Sequence, residues 1–170
     1  MIRMTNCRCC LTFEMADAEL LTHIGAPTAA MPVLPPSSLS RGALLKSKHW
    51  GDKRSFNVGF IGGSLKVRRR GAQFADIWAE KVGTFKFDFW TGLTITDLTT
   101  ADIRVSFVQD GRSWSYIGTD ANNYPGQATM NLGWLTEKLP DEKARAVVLH
   151  EFGHALGLIH EHQNPMQPIK

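Results

Sequence analysis

Residues 55–89 read SFNVGFIGGSLKVRRRGAQFADIWAEKVGTFKFDF, and the spacing of apolar residues changes twice along them. Phe56, Val58 and Phe60 alternate with Asn57 and Gly59, the two-residue period of a strand. Gly62-Gly63 breaks this pattern, and Ser64 follows as a candidate helix N-cap. Val67, Gly71, Phe74, Trp78 and Val82 then recur at helical spacing, with Gly83 placed to end the helix in a left-handed conformation. After it the two-residue period returns, with Phe85, Phe87 and Phe89 on one face and Lys86 and Asp88 on the other. Strand, helix and strand in such a short stretch predict a βαβ unit, paired in parallel through a right-handed crossover.

Downstream, ADIRVSFV (residues 101–108) places Ile103, Val105 and Phe107 on one side of a third strand. Residues 109–127, rich in Gly, Ser and Asn, read as a loop, and QATMNLGWL (127–135) reads as a fourth strand. Pro140 and Asp141 open a second helix that runs through KARAVVLHEFGHAL and stops at Gly157. The expected fold class is α/β: a twisted mixed sheet of four to five strands, backed by one helix with the second on the other side. Arg68-Arg69-Arg70 lies near the start of the first helix, where positive charge opposes the dipole. It reads as a solvated face, with an anion-binding patch as the sharper alternative.

Residues 1–45 have a different character. APTAAMPVLPPSSLSRG (26–42) holds four of the chain's eight prolines, a composition that favours extended, poorly packed backbone. The expected division is therefore a flexible tail or pro-segment over 1–45 and a folded domain over 46–170. Cys7, Cys9 and Cys10 are the only cysteines, so the folded body holds no disulfide and depends on packing or a metal. With 43% hydrophobic residues, the 170-residue chain has the composition of a globular domain. No apolar run is long enough to span a membrane. A net charge of +3 is too slight to imply a nucleic-acid partner by itself, and none is expected. The opening MIRMTNCRCC carries no visible secretory signal.

The chemistry is concentrated near the C-terminus. His150-Glu151-Phe152-Gly153-His154, then Gly157 and His160, form the pattern H-E-x-x-H-x-x-G-x-x-H. Residues four apart on a helix lie one above the other, so His150 and His154 can present their imidazoles to one ion. A third ligand needs the chain to turn sharply. Gly157 can take positive φ without steric cost, which returns His160 to the same ion. Three neutral nitrogens leave a fourth position for water, as in a catalytic rather than a structural zinc site. Glu151, about 100° around the helix from His150, is free to accept that water's proton instead of ligating. Under uniform residue usage H-E-x-x-H arises in roughly 2% of chains this long, and adding the Gly and third His lowers that to roughly 1 in 20,000. The pattern therefore reads as one Zn2+ per chain, held by His150, His154 and His160. His162 has no role in it and reads as a surface residue.

HEFGHALGLIH resembles the zinc signature of the metzincin metallopeptidases, and the following Glu161 resembles the astacin branch. SWSYIG, GQATMNLGWL and the second helix follow in the astacin order, so the resemblance spans roughly residues 48–165. It implies a metzincin-like N-terminal subdomain and a zinc endopeptidase acting on peptide or protein substrates, with Glu151 as general base. It also implies a substrate extended along an edge strand. That strand maps onto Gln127–Trp134, with Met130, Asn131 and Leu132 as substrate-binding residues, and Glu161 takes the family's contact with the matured N-terminus. The family is commonly exported; compartment and oligomeric state stay open here. Departures are plain: the body lacks the family's disulfides, and Gln163-Asn164-Pro165 replaces its Arg-Pro continuation. Ten residues after His160 leave no room for the family's Met-turn, Met166 being too close, or for the tyrosine near that turn.

The missing C-terminal subdomain motivates the alternative, a zinc-binding but catalytically inactive or truncated metallopeptidase remnant. It also implies a cleft with one wall, and hence a poor enzyme. A third reading is a binding module that uses Trp114 and Trp134. Cys7, Cys9 and Cys10 have two readings: exposed thiols on a tail, or a thiolate that blocks the open zinc position.

Overall fold

The structure is a computed structural model that describes residues 42–90 and 98–160, all within the unit Gly42–Lys170; the side chains of residues 42, 43 and 160 are outside the description. Among the described residues seven strands form in chain order: β1 (Gly42–Leu44), β2 (Ser55–Ile61), β3 (Lys86–Trp90), β4 (Ile103–Ser106), β5 (Ser113–Ser115), β6 (Met130–Leu132) and β7 (Leu158–His160). Two helices are described from end to end, α1 (Leu65–Val82) and α2 (Asp141–Ala155), and 3-10 turns form at Lys46–Lys48 and Gly118–Asn123. Among the described residues, no helix is long and apolar enough to cross a membrane.

The βαβ unit forms as its residue spacing predicts. Phe56 pairs with Phe87 and Val58 with Phe89 in a parallel ladder. The Ser64 side chain accepts a hydrogen bond from the Val67 amide at the start of α1, and Gly83 ends the helix at φ 71°. Val67, Gly71, Phe74 and Ala75 face the core, while Val82 in the last turn is exposed. The five-strand mixed sheet runs in the order β3-β2-β4-β6-β5, parallel except that β5 is antiparallel to β6.

Four features differ from the sequence reading. The two helices share one face of the sheet instead of lying on opposite sides. The Trp78 indole of α1 donates to the Leu149 carbonyl of α2 at 2.8 Å, and both helices feed one apolar core. Gly42–Leu44, placed in the tail by composition, forms a strand antiparallel to β7. The segment read as a loop contains β5, and the fourth strand is limited to three residues because the chain turns at Gly133, where the Leu135 amide donates to the Leu132 carbonyl.

The arginine run is the fourth. Arg70 reaches across to the start of α2 and donates to Asp141 at 2.6 and 2.9 Å, to the Thr136 carbonyl at 2.7 Å and to the Leu139 carbonyl. Arg68 bonds the Gly62 carbonyl at 2.7 Å, and only Arg69 is left exposed. Two of the three guanidiniums thus tie α1 to neighbouring backbone instead of forming a solvated face.

Phe152 of α2 is the centre of the packing. It is fully buried, with its ring edge-on to Phe87 at 5.3 Å, and Phe89 lies beyond at 6.5 Å. Phe152→Ala should therefore cost about 3–5 kcal/mol of unfolding free energy, read as a fall in the denaturant midpoint at unchanged slope. A loss under about 1 kcal/mol would mean that the helix is not held through this ring.

Candidate functional site

The helix α2 places His150 and His154 one turn apart, and their Nε2 atoms stand 3.0 Å from each other. His154 Nδ1 lies 2.8 Å from the Leu158 carbonyl oxygen. A carbonyl only accepts, so Nδ1 carries the proton and Nε2 presents a lone pair toward His150. Burial lowers the His154 pKa, and the bond to Leu158 opposes that only in part. The imidazole is accordingly held neutral, the form that ligates a metal. Two nitrogens on one zinc, each at about 2.0–2.1 Å, stand roughly 3.0–3.4 Å apart. The separation, and the tautomer and neutral form of His154, fit that ion.

Gly157 has φ 103°, a value that strains any residue with a Cβ. The chain reverses there, which allows the Leu158 carbonyl to orient His154. His160 ends β7, its backbone paired with Gly42. Its side chain is outside the described residues, as are Glu161, His162 and the three cysteines. Among the described residues, no three His, Cys, Asp or Glu side chains gather around one point. Glu151 is fully buried on α2.

Met130, Asn131 and Leu132 do not lie on the edge strand expected of them. Their strand is not an edge: β4 flanks β6 on one side and β5 on the other, and all three side chains are buried. Among the described residues, the free edge of the sheet on this side is β5, Ser113–Ser115. The alternation Ser113-Trp114-Ser115-Tyr116 was the available signal: both serines are buried and both aromatics half-exposed. Three residues are a short run to read as a strand against a background of Gly, Ser and Asn.

Asn131 serves that edge from behind. Its Oδ1 accepts from the Ser106 hydroxyl at 2.8 Å and the Val108 amide at 2.9 Å, and its Nδ2 donates to the Val108 and Arg112 carbonyls, both at 2.9 Å. The amide is used up in fastening the 107–112 loop that leads into β5. Gly133 lets that loop approach, because a Cβ there would collide with the Arg112 and Val108 carbonyl oxygens. Arg104, unmarked by any motif, fastens the other end of β5's surroundings. Its buried guanidinium donates to the carbonyls of Ala101, Ala121, Tyr124 and Gln127. Burial lowers its pKa from the ordinary arginine value, with Asp102 acting in the opposite direction.

Taken together, the mixed α/β arrangement is a metallopeptidase-like fold. Two solved structures of myroilysin, a metalloprotease, are similar to the chain. One is 38% identical with a TM-score of 0.64, covering 74% of this chain and 58% of its own. The other is 32% identical with a TM-score of 0.60, covering 82% of this chain and 63% of its own. The present chain thus spans about three-fifths of the length of these relatives. No protein-family model matches the sequence, and no curated protein does.

Replacing Asn131 with Ala takes away the partner of the Val108 amide and of the Arg112 carbonyl, whereas the Val108 carbonyl keeps the Asp110 amide and the Ser106 hydroxyl keeps the Met130 carbonyl. At about 1–3 kcal/mol for each group left unpaired, Asn131→Ala should lower stability by at least about 2 kcal/mol. Amide exchange should quicken at Val108 and through 113–115 while β2 stays protected. Uniform loss of protection would show that Asn131 is general core and not a fastening for the edge.

Proposed function

We propose that the chain is a zinc-dependent endopeptidase that hydrolyses peptide bonds, with His150, His154 and His160 as zinc ligands and Glu151 as general base. The observation that carries this reading is the convergence of the two Nε2 atoms, with the Leu158 carbonyl fixing the tautomer of one. The likeness to myroilysin supports it independently. Zinc, when bound, supplies a Lewis acid that lowers the pKa of water toward 7 and polarises a carbonyl. Glu151 takes a proton from the attacking water and returns it to the leaving amine. Its burial within α2 keeps bulk water away from that exchange. The free edge of β5 offers unpaired backbone groups to an extended peptide, which would orient the scissile bond by strand addition. Asn131 and Arg104 keep that edge in place without touching the peptide.

Metal analysis combined with cleavage of unfolded casein tests the reading. One zinc per chain with cleavage supports it, and zinc without cleavage favours the non-catalytic zinc-binding alternative. A chain with neither reverts to a binding module. His154→Ala should abolish zinc binding, and full metal occupancy in that variant would remove the basis of the proposal.

Glu151→Gln should retain zinc and lower kcat by roughly 10²–10⁴-fold. An unchanged rate would assign the activity to another group or another protein.

A further inference from the structure

The end of α2 is not held by α2 alone. The last carbonyls of a helix have no partner within it, and here two groups at this end find theirs in one distant segment. The Trp50 indole donates to the Ala155 carbonyl at 2.8 Å, and the Leu45 amide donates to the Gly157 carbonyl at 3.1 Å. Ahead of Leu45, β1 pairs with β7 in the register Gly42 with His160, Ala43 with Ile159 and Leu44 with Leu158. Among the described residues β1 is the only strand paired with β7. A three-residue strand with a single neighbour is marginal unless something anchors it.

Three anchors are present. Trp50 packs edge-on against the core residue Phe56 at 5.5 Å. Lys48 pairs with Asp120, both half-exposed. Gly118 admits the backbone of the 46–48 turn so closely that a Cβ would overlap the Lys48 carbonyl oxygen. Gly157 sits under the same segment, its virtual Cβ 3.4 Å from Leu44 and 3.5 Å from the Lys48 carbonyl.

We propose that Gly42–Trp50 is a positioning strap, which fixes the turn at Gly157 and so sets the approach of the third histidine to the metal. This rests on the reading of His150, His154 and His160 as a zinc site. The strap touches no reacting atom. It acts through the Gly157 and Ala155 carbonyls and through the β7 backbone, whose first residue, Leu158, also orients His154. Partners that orient metal ligands in this way are typically worth roughly 10–100-fold in metal affinity.

Two substitutions in the full chain separate positioning from general stability. Leu45 has φ −84°, which proline tolerates, so Leu45→Pro removes the amide donor with little backbone change, and Leu45→Ala controls for the lost side chain. Trp50→Phe keeps a ring against Phe56 and deletes only the donor to Ala155. The readouts are Zn2+ affinity by chelator competition, the visible spectrum of the Co2+ form, and amide exchange at residues 158–160 of the metal-free protein. Leu45→Pro should raise the Kd for Zn2+ roughly 10–100-fold, alter the Co2+ spectrum and speed exchange at 158–160. Trp50→Phe should shift all three in the same direction by less, and Leu45→Ala should stay near the parent. If both test variants keep the parent Kd and Co2+ spectrum, even at a lower melting temperature, the strap is only structural and the proposal falls. A parent chain that takes up no Zn2+ or Co2+ would instead overturn the metal reading, and the strap's role with it.

Discussion

Everything that the site can do depends on how α2 is held. Phe152 fixes one side of it in the aromatic layer of β3, Arg70 ties its first turn to α1, and the Trp78 indole takes a carbonyl from its middle. The facing imidazoles of His150 and His154 project from that clamped helix. A pair of ring nitrogens 3.0 Å apart keeps its geometry only if the backbone beneath it does not shift. Packing at interior density supplies that rigidity, because a displaced helix would open voids along Val147, Val148 and Phe152 at once.

The sheet treats β6 and its outer neighbour β5 differently. Parallel pairing places β6 deep in the sheet, and its side chains are spent on the core and on the 107–112 loop. One antiparallel strand added beyond it becomes the free edge. Polar groups then do work that a local reading gives to binding. Asn131 and Arg104 are fully engaged with backbone carbonyls and amides on either side of β5. Buried polar side chains of this kind are costly unless every group is satisfied. Here each is satisfied largely by the backbone of the loops around β5, and the short edge strand is held in one conformation.

The local patterns of the chain are legible in its residue order. The βαβ unit, the Ser64 cap, the left-handed Gly83 and Gly157, and the start of α2 at Pro140-Asp141 all follow from residue spacing and from which residues tolerate which φ. The meeting of His150 with His154 is legible for the same reason, since four residues on a helix make about one turn. By contrast, β5 is hidden in a stretch of Gly, Ser and Asn, and β1 in a proline-rich neighbourhood, because three-residue strands carry almost no periodic signal.

Sequence by itself therefore determined the βαβ unit, the second helix, their caps and the pairing of His150 with His154 on one helix face, all of which depend on neighbours within a few turns of backbone. Tertiary structure alone decided which strand is the edge, that both helices share one face, that Asn131 fastens the 107–112 loop, and that β1 pairs with β7. Each of those outcomes is a contact between segments far apart in the chain: residues 114 and 131, 78 and 149, 131 and 108, 44 and 158. Such pairings are chosen by the burial of the whole core and by the need of each buried amide and carbonyl for a partner, and no local spacing records that choice.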